Sequence, residues 1–397
     1  MNQTLNTTRR ISSIDLLRGF IMIIMALDHT RDFFHTHAQT DNPLNLATTT
    51  PFLYFTRWIT HFCAPGFVFL SGVSAYLQAA RKSKRELSLF LIKRGLWLIL
   101  FEITLINLIF SFDIYFSTIT LEVIWAIGIS MLILGLVIWL PFELIVVLGL
   151  LIVLGHNSLD FYEKGKDPAS FGAGYNLIHR IGFHPLPFWK GHSLFIFYPF
   201  LAWTGLMMLG YCLGKVLRND NEVYRKRFLV IAGLSVIALF IINRSINIYG
   251  DPVPWSSQKN GVYTFLSFMN ANKYPPSLDF MCMTIGPSLL LLAWWDGIQN
   301  GLTKIVSVFG RVPFFYFVVH FFILHTAAAI TFLIRGHSLA EGMDEQLFIK
   351  FLIPGEGVSL AMTYLIWAAL VGVMYPLSKA YDRYKTNHKE KWWLSYL

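Results

Sequence analysis

Arg9–His35 reads RRISSIDLLRGFIMIIMALDHTRDFFH, an apolar run with Asp15, Arg18, Asp28, His29 and Arg31 set into it. The apolar length suits a hydrocarbon core of roughly 30 Å, which takes about 20 helical residues. Charges inside a span are costly unless they face other protein or water. The stretch therefore predicts a membrane helix with a polar stripe turned into a bundle. It lacks a small-residue cleavage site, and further apolar segments follow at once, so it reads as a retained span and not a signal peptide.

The rest of the chain agrees. Of 397 residues 55% are hydrophobic and only 14% charged, with a mean hydropathy of +0.53, which excludes an ordinary soluble domain. Apolar segments recur near 13–34, 53–80, 94–112, 119–140, 142–156, 193–215, 228–247, 277–298, 308–334 and 356–378. The predicted fold is all-α, a polytopic helical bundle of about ten transmembrane helices forming one domain over 1–397. Lys and Arg crowd 81–86, 92–95, 215–227 and 379–393, alternate connections in that count, which puts those connections and both termini in the cytoplasm. The net charge of +9 is thus a topology signal, and no aromatic-interleaved basic patch points to nucleic acid. Cys63, Cys212 and Cys282 fall in spans without CxxC spacing, so neither a disulfide framework nor a cysteine metal site is expected.

The outward connections are then the long ones, 35–52, 157–192, 248–276 and 335–355. Eleven of the twelve histidines lie there or in spans toward their middle or outer parts. From Arg18 to His29 is about 1100° of helix, some 20° past three turns and roughly 16 Å of rise, so the two share a face, and Asp15 joins it. Asp15 and Arg18 also suit an interfacial pair, and His29 and Arg31 interfacial anchors. The second span, TRWITHFCAPGFVFLSG (56–72), carries His61 at a depth like that of His29 on the preceding antiparallel helix. Pro65 and Gly66 loosen that helix, which lipid permits only where protein or water satisfies the freed backbone. Two imidazoles with Asp28 and Arg57 suit proton transfer and charge stabilisation in a water-accessible pocket. Two histidines and an aspartate suit zinc as well, but no HExxH-type spacing supports it and no metal is expected.

The pattern Arg10, Asp15, Arg18, Gly19, His29 resembles the signature of the transmembrane acyltransferase superfamily, including the R-x10-H motif of bacterial integral-membrane O-acyltransferases. Closer similarity is to bacterial members of the heparan-α-glucosaminide N-acetyltransferase catalytic-domain family. It runs through the first two spans and through FYPFLAWTGLMMLGYCLG (197–214), NKYPPSLDFMCMTIGP (272–287) and GRVPFFYFVVH (310–320). The resemblance implies acetyl-CoA as cytoplasmic donor and a saccharide or glycoconjugate acceptor, acylated on nitrogen or oxygen beyond the membrane, here the bacterial inner membrane. In the lysosomal enzyme of the family the proposed catalytic histidine lies in the first luminal loop, and the position of His29 holds asparagine. Here that loop position falls near Thr40, with His35 and His37 close by, and His29 is the favoured base.

On this reading His29 takes the acceptor proton, and His61, Arg57 or Arg31 stabilises the developing oxyanion, with Asp28 beside them. Arg18, Arg10 and Arg94, or Lys93, meet the CoA phosphates, with Asp15 beside Arg18. His35, His37, Lys273 and Tyr274 line the outer pocket. Glu102, Glu122, Asp279, His320 and Arg311 read as interhelical polar partners. An ion- or proton-coupled transporter or flippase is the competing class, disfavoured because no paired interrupted segments mark the two halves. A homodimer stays open, since an intramembrane dimer surface reads like an intramolecular one.

Overall fold

The computed structural model describes residues 11–181, 186–344 and 346–395. Arg10 lies outside them, as does the N-terminus. The chain is an all-α polytopic membrane protein, with helices α1 (Ser12–Phe34), α2 (Pro51–Gln78), α3 (84–111), α4 (Val123–Val137), α5 (Phe142–Gly155), α6 (Ser158–Glu163), α7 (Ala173–Ile178), α8 (Phe200–Leu217), α9 (Glu222–Ile246), α10 (Gly261–Met269), α11 (Leu278–Trp295), α12 (Gly301–Arg311), α13 (Pro313–Ile334) and α14 (Leu360–Asn387). Among the described residues seven helical stretches are long and apolar enough to cross a membrane: α2, α5 with its extension to Glu163, α8, α9, α11, α13 and α14. α1 is not among the seven, because Asp15, Arg18, Asp28, Arg31 and Asp32 interrupt its apolar run; α3 is not, because a π turn at Glu102–Ile106 divides it and its regular α-helical part, Lys84–Phe101, carries Lys84, Arg85, Glu86, Lys93 and Arg94.

Three local departures from the sequence expectation have physical causes. Residues 119–121 and 193–196, expected as helix ends, belong instead to a small sheet of β1 (Thr118–Leu121), β2 (Leu186–Trp189) and β3 (His192–Ile196) in the order β1-β3-β2, with β1 parallel to β3. Runs such as Thr-Ile-Thr-Leu are rich in β-branched residues, which fit a pleated surface. Within α2 the irregular turn falls over Ile59–Phe62, which is 3₁₀. Pro65 offers no N–H to the carbonyl one turn back and its ring crowds it, so the helix tightens just before the proline. The span expected over 308–334 breaks at Val312 into amphipathic α12 and apolar α13, with Pro313 opening the second helix.

α1 lies at the centre, against α2, α11, α12, α13 and α14. Its tightest crossing is with α12. A Cβ built on Gly19 would meet the Val306 carbonyl oxygen at 2.0 Å, and one on Gly310 the Asp15 carbonyl oxygen at 1.8 Å. Without a hydrophobic drive between helices in lipid, close backbone approach over small residues holds such crossings. Gly310→Val is expected to force α1 and α12 apart, at about 1–3 kcal/mol or more, and a lowered melting temperature of the purified protein checks it.

The segment between α9 and α11 is pinned by a buried arginine. Arg244 donates to the carbonyls of Ser267 and Phe268, both at 3.0 Å, and of Val253 and Asn270, both at 3.2 Å. Asp251 accepts from Asn272 N and Ser277 Oγ, each at 2.7 Å. These bonds fix the backbone on either side of Lys273 and Tyr274.

Candidate active site

Asp28 is the hub of a buried charge cluster. It accepts from Arg57 of α2 and pairs with Arg31, one turn on, at 2.9 Å; Arg31 also meets Asp32 at 2.5 Å. Lys273, arriving on the segment between α10 and α11, adds its positive field to Asp28, His29 and His61, and its ammonium stands 4.9 Å from the Tyr274 ring centre. Tyr274 in turn packs edge-on against Tyr198, 5.4 Å between ring centres. Asp28, His29 and Arg31 of α1, Arg57 and His61 of α2, and Lys273 and Tyr274 of the segment between α10 and α11 therefore converge in one region.

His29 and His61 do not bond to each other. Among the described residues His61 has no hydrogen-bond partner on either ring nitrogen, although it is fully buried with its ring 5.2 Å from that of Phe280. Its seat on the 3₁₀ turn carries the ring toward α11. A buried imidazole without partners is costly, and here it is surrounded by charge and not by a satisfied network.

The partner of His29 is His320 of α13, an interhelical polar contact. His29 Nδ1 lies 2.7 Å from His320 Nε2, and His320 Nδ1 lies 2.9 Å from the Tyr316 carbonyl oxygen. A carbonyl oxygen only accepts, so His320 Nδ1 carries the hydrogen and its Nε2 is bare in the neutral ring. The proton of the shared bond then sits on His29 Nδ1. By elimination His29 Nε2 holds a lone pair, and it has no hydrogen-bond partner among the described residues. His320 is fully buried while His29 stays partly accessible. Phe321 stacks near His29, 4.1 Å between ring centres, and restrains its ring.

The C-terminal end of α1 opens onto a cavity of about 280 Å³ lined by Arg31, His35, His37, Asp41, Asn42 and Thr48, among others. Arg31 faces both this cavity and the Asp28 cluster. Burial, together with neighbouring His37 and Arg31, lowers the His35 pKa, which favours its neutral ring. Its backbone is bridged to Val358, with Val358 N donating to Phe34 O at 2.7 Å, and this tie holds the start of the loop.

At the opposite end of α1, Arg18 donates to Ser74 Oγ at 2.9 Å and the Gly310 carbonyl at 3.3 Å, with Asp15 3.7 Å away. Gly19 and Gly310 thus bring α12 close enough for that guanidinium to reach. Arg94 lies on α3 with its guanidinium 5.9 Å from the Phe90 ring centre.

Two groups beside the cluster were less legible in sequence. Glu122 is placed where the charges of Lys273, Asp32 and Arg57 act on it, and Tyr198 completes the aromatic wall around Lys273. Their signal was weak: a carboxylate at a helix start and one tyrosine among seventeen.

No curated protein matches the chain. The family model described as heparan-alpha-glucosaminide N-acetyltransferase, catalytic, matches residues 10–249, well over half of the chain. The matched stretch holds Asp28, His29, Arg57 and His61 and stops short of Lys273, Tyr274 and His320. The chain belongs to the heparan-α-glucosaminide N-acetyltransferase catalytic family, and by that membership it is a membrane acetyltransferase.

Proposed function

We propose that the protein moves an acetyl group from cytoplasmic acetyl-CoA to an amine or hydroxyl of a saccharide on the far side of a bacterial inner membrane, with His29 as general base. The observation that carries this reading is the wiring of His29 through His320, which leaves Nε2 of a partly accessible imidazole bare. Nε2 takes the proton of the acceptor hydroxyl or amine as its oxygen or nitrogen attacks the thioester carbon. The carbon–sulfur bond then breaks, CoA leaves as its thiolate and the proton returns to it. No covalent enzyme intermediate is needed. The unpartnered His61 offers an N–H to the oxyanion, supported by the Arg57 and Arg31 guanidinia, and such donors act strongly where water is scarce. Asp28 serves as a positioning residue that holds the two arginines.

The acceptor occupies the cavity lined by Arg31, His35 and His37, and Lys273 and Tyr274 contribute to holding it. The donor enters from the Arg18 end, where Arg18, Arg10 and Arg94 meet the CoA phosphates and Asp15 steadies Arg18. The chain crosses the membrane ten times by its apolar segments, and the Lys/Arg asymmetry puts both termini in the cytoplasm.

Arg18→Ala is expected to weaken CoA binding by about 1.5–3 kcal/mol, the value of a charge-assisted bond to a charged ligand. Calorimetry with CoA and dephospho-CoA measures it. Unchanged affinity in a folded variant would remove Arg18 from donor recognition.

His320→Leu leaves the His29 Nδ1–H facing hydrocarbon, a loss of about 1–3 kcal/mol. Turnover should then fall roughly 10- to 100-fold at unchanged KM for acetyl-CoA, with partial rescue by His320→Gln, whose amide oxygen still accepts. A matched fall in all variants, tracking their melting temperatures, would make His320 a packing residue only.

A further inference from the structure

α6 and α7 follow the outer end of α5 and bring together a second cluster, remote from His29 in the chain. Ligand atoms of Asp160, Glu163 and His179 all lie within 4.8 Å of one another. Glu163 accepts from His179 Nδ1 at 2.8 Å, from the Tyr175 hydroxyl at 3.0 Å and from Arg180 at 3.2 Å, while Asp160 accepts from Asn157 at 2.6 Å. His179 is buried, and its Nε2 lies 3.3 Å from Nδ1 of His156. His156 is 3% exposed and its own Nε2 has no partner among the described residues.

We propose that Asp160, Glu163 and His179 form a binding site for a divalent transition-metal ion of the Zn²⁺ type, with His156 as the group that orients His179. One imidazole and two carboxylates are ligands this ion accepts, with a fourth position left open. Two carboxylates against the single guanidinium of Arg180 leave a net negative charge for the ion to meet. Binding needs a bare His179 Nδ1, which now donates to Glu163. The imidazole pair provides it: one proton moves from Nδ1 to Nε2 on each ring, so His179 Nε2–H donates to His156 Nδ1 and the contact between the rings is kept. No proton is gained or lost. An imidazole ligand held through its other nitrogen is the usual arrangement around bound metals. The ion would join α6 to α7 and close the loop between them, restraining the outer connection ahead of the sheet.

The test is calorimetric titration of the chelator-treated full-length protein with Zn²⁺ alone, beside its thermal melt with and without the ion. One saturable equivalent per chain and a raised melting temperature are expected. Asp160→Asn, which keeps an oxygen for Asn157, should lose at least tenfold in affinity, as should Glu163→Gln, and His156→Ala should lose roughly 10- to 100-fold. Absence of saturable binding to the parent protein overturns the site. So does parent-like binding by Asp160→Asn, even should Glu163→Gln fail to fold, and so does Ca²⁺ binding as tightly as Zn²⁺, because a hard cation has no use for His179.

Discussion

His29→Gln is expected to lower turnover about 10²- to 10⁴-fold, the usual contribution of a general base and roughly 3–5 kcal/mol of barrier. Glutamine keeps much of the size and polarity of the ring and can still donate toward His320 Nε2, so folding should survive and acetyl-CoA should still bind. What disappears is a lone pair that accepts a proton near neutral pH. His61→Gln should cost less, because the amide still donates a hydrogen bond to an oxyanion. His35→Gln and His37→Gln should be mild, since both line the cavity of the proposed acceptor and neither has the His320 wiring. The rates of CoA release by the four purified variants, with thermal melts as controls, rank these roles. A selective collapse at His35 or His37 would move the base into the first outer loop.

Asp28→Ala is expected to act on stability more than on chemistry. The carboxylate sits between Arg57 and Arg31, with side-chain exposures of 10%, 13% and 5% for Asp28, Arg57 and Arg31. Deleting one member of a buried ion pair leaves uncompensated charge and costs about 3–5 kcal/mol. The Arg57 guanidinium would be stranded here, beside Lys273, while Arg31 keeps its contact with Asp32. Asp28→Asn should be milder because it keeps an acceptor, and adding Arg57→Leu to Asp28→Ala should recover part of the loss, a non-additivity that marks direct coupling. Thermal melts of the three variants in one detergent read it out. An Asp28→Ala protein with a parent-like melt would show that the cluster does not hold α1 to α2.

The part of the site that lay in local spacing was readable. Arg18, Asp15 and His29 share a helix face because helical geometry requires it, and the proline after His61 announced an irregular second span. The Gly19 position also has its reason in the structure, since α12 crosses α1 backbone to backbone there. What sequence could not supply was the choice among partners. His29 has His320 rather than His61 across the bond, a pairing 291 residues apart that depends on how α13 rotates against α1. The bare Nε2 of His29 depends on that pairing and on the Tyr316 carbonyl, and neither leaves a local pattern. The strands were missed for a related reason. Short apolar runs at the ends of membrane segments read equally as helix, and only β3 lying beside β1 turns residues 118–121 into a strand.

The most direct test of the account is to supply acetyl-labelled acetyl-CoA and a panel of amino sugars and neutral sugars to the purified protein in proteoliposomes. The account predicts that label becomes covalently attached to a sugar with equal release of free CoA, and that His29→Gln abolishes both while still binding acetyl-CoA. Movement of a sugar across the vesicle membrane with acetyl-CoA left intact, or a normally melting His29→Gln protein that turns over within a few-fold of the parent, would contradict it.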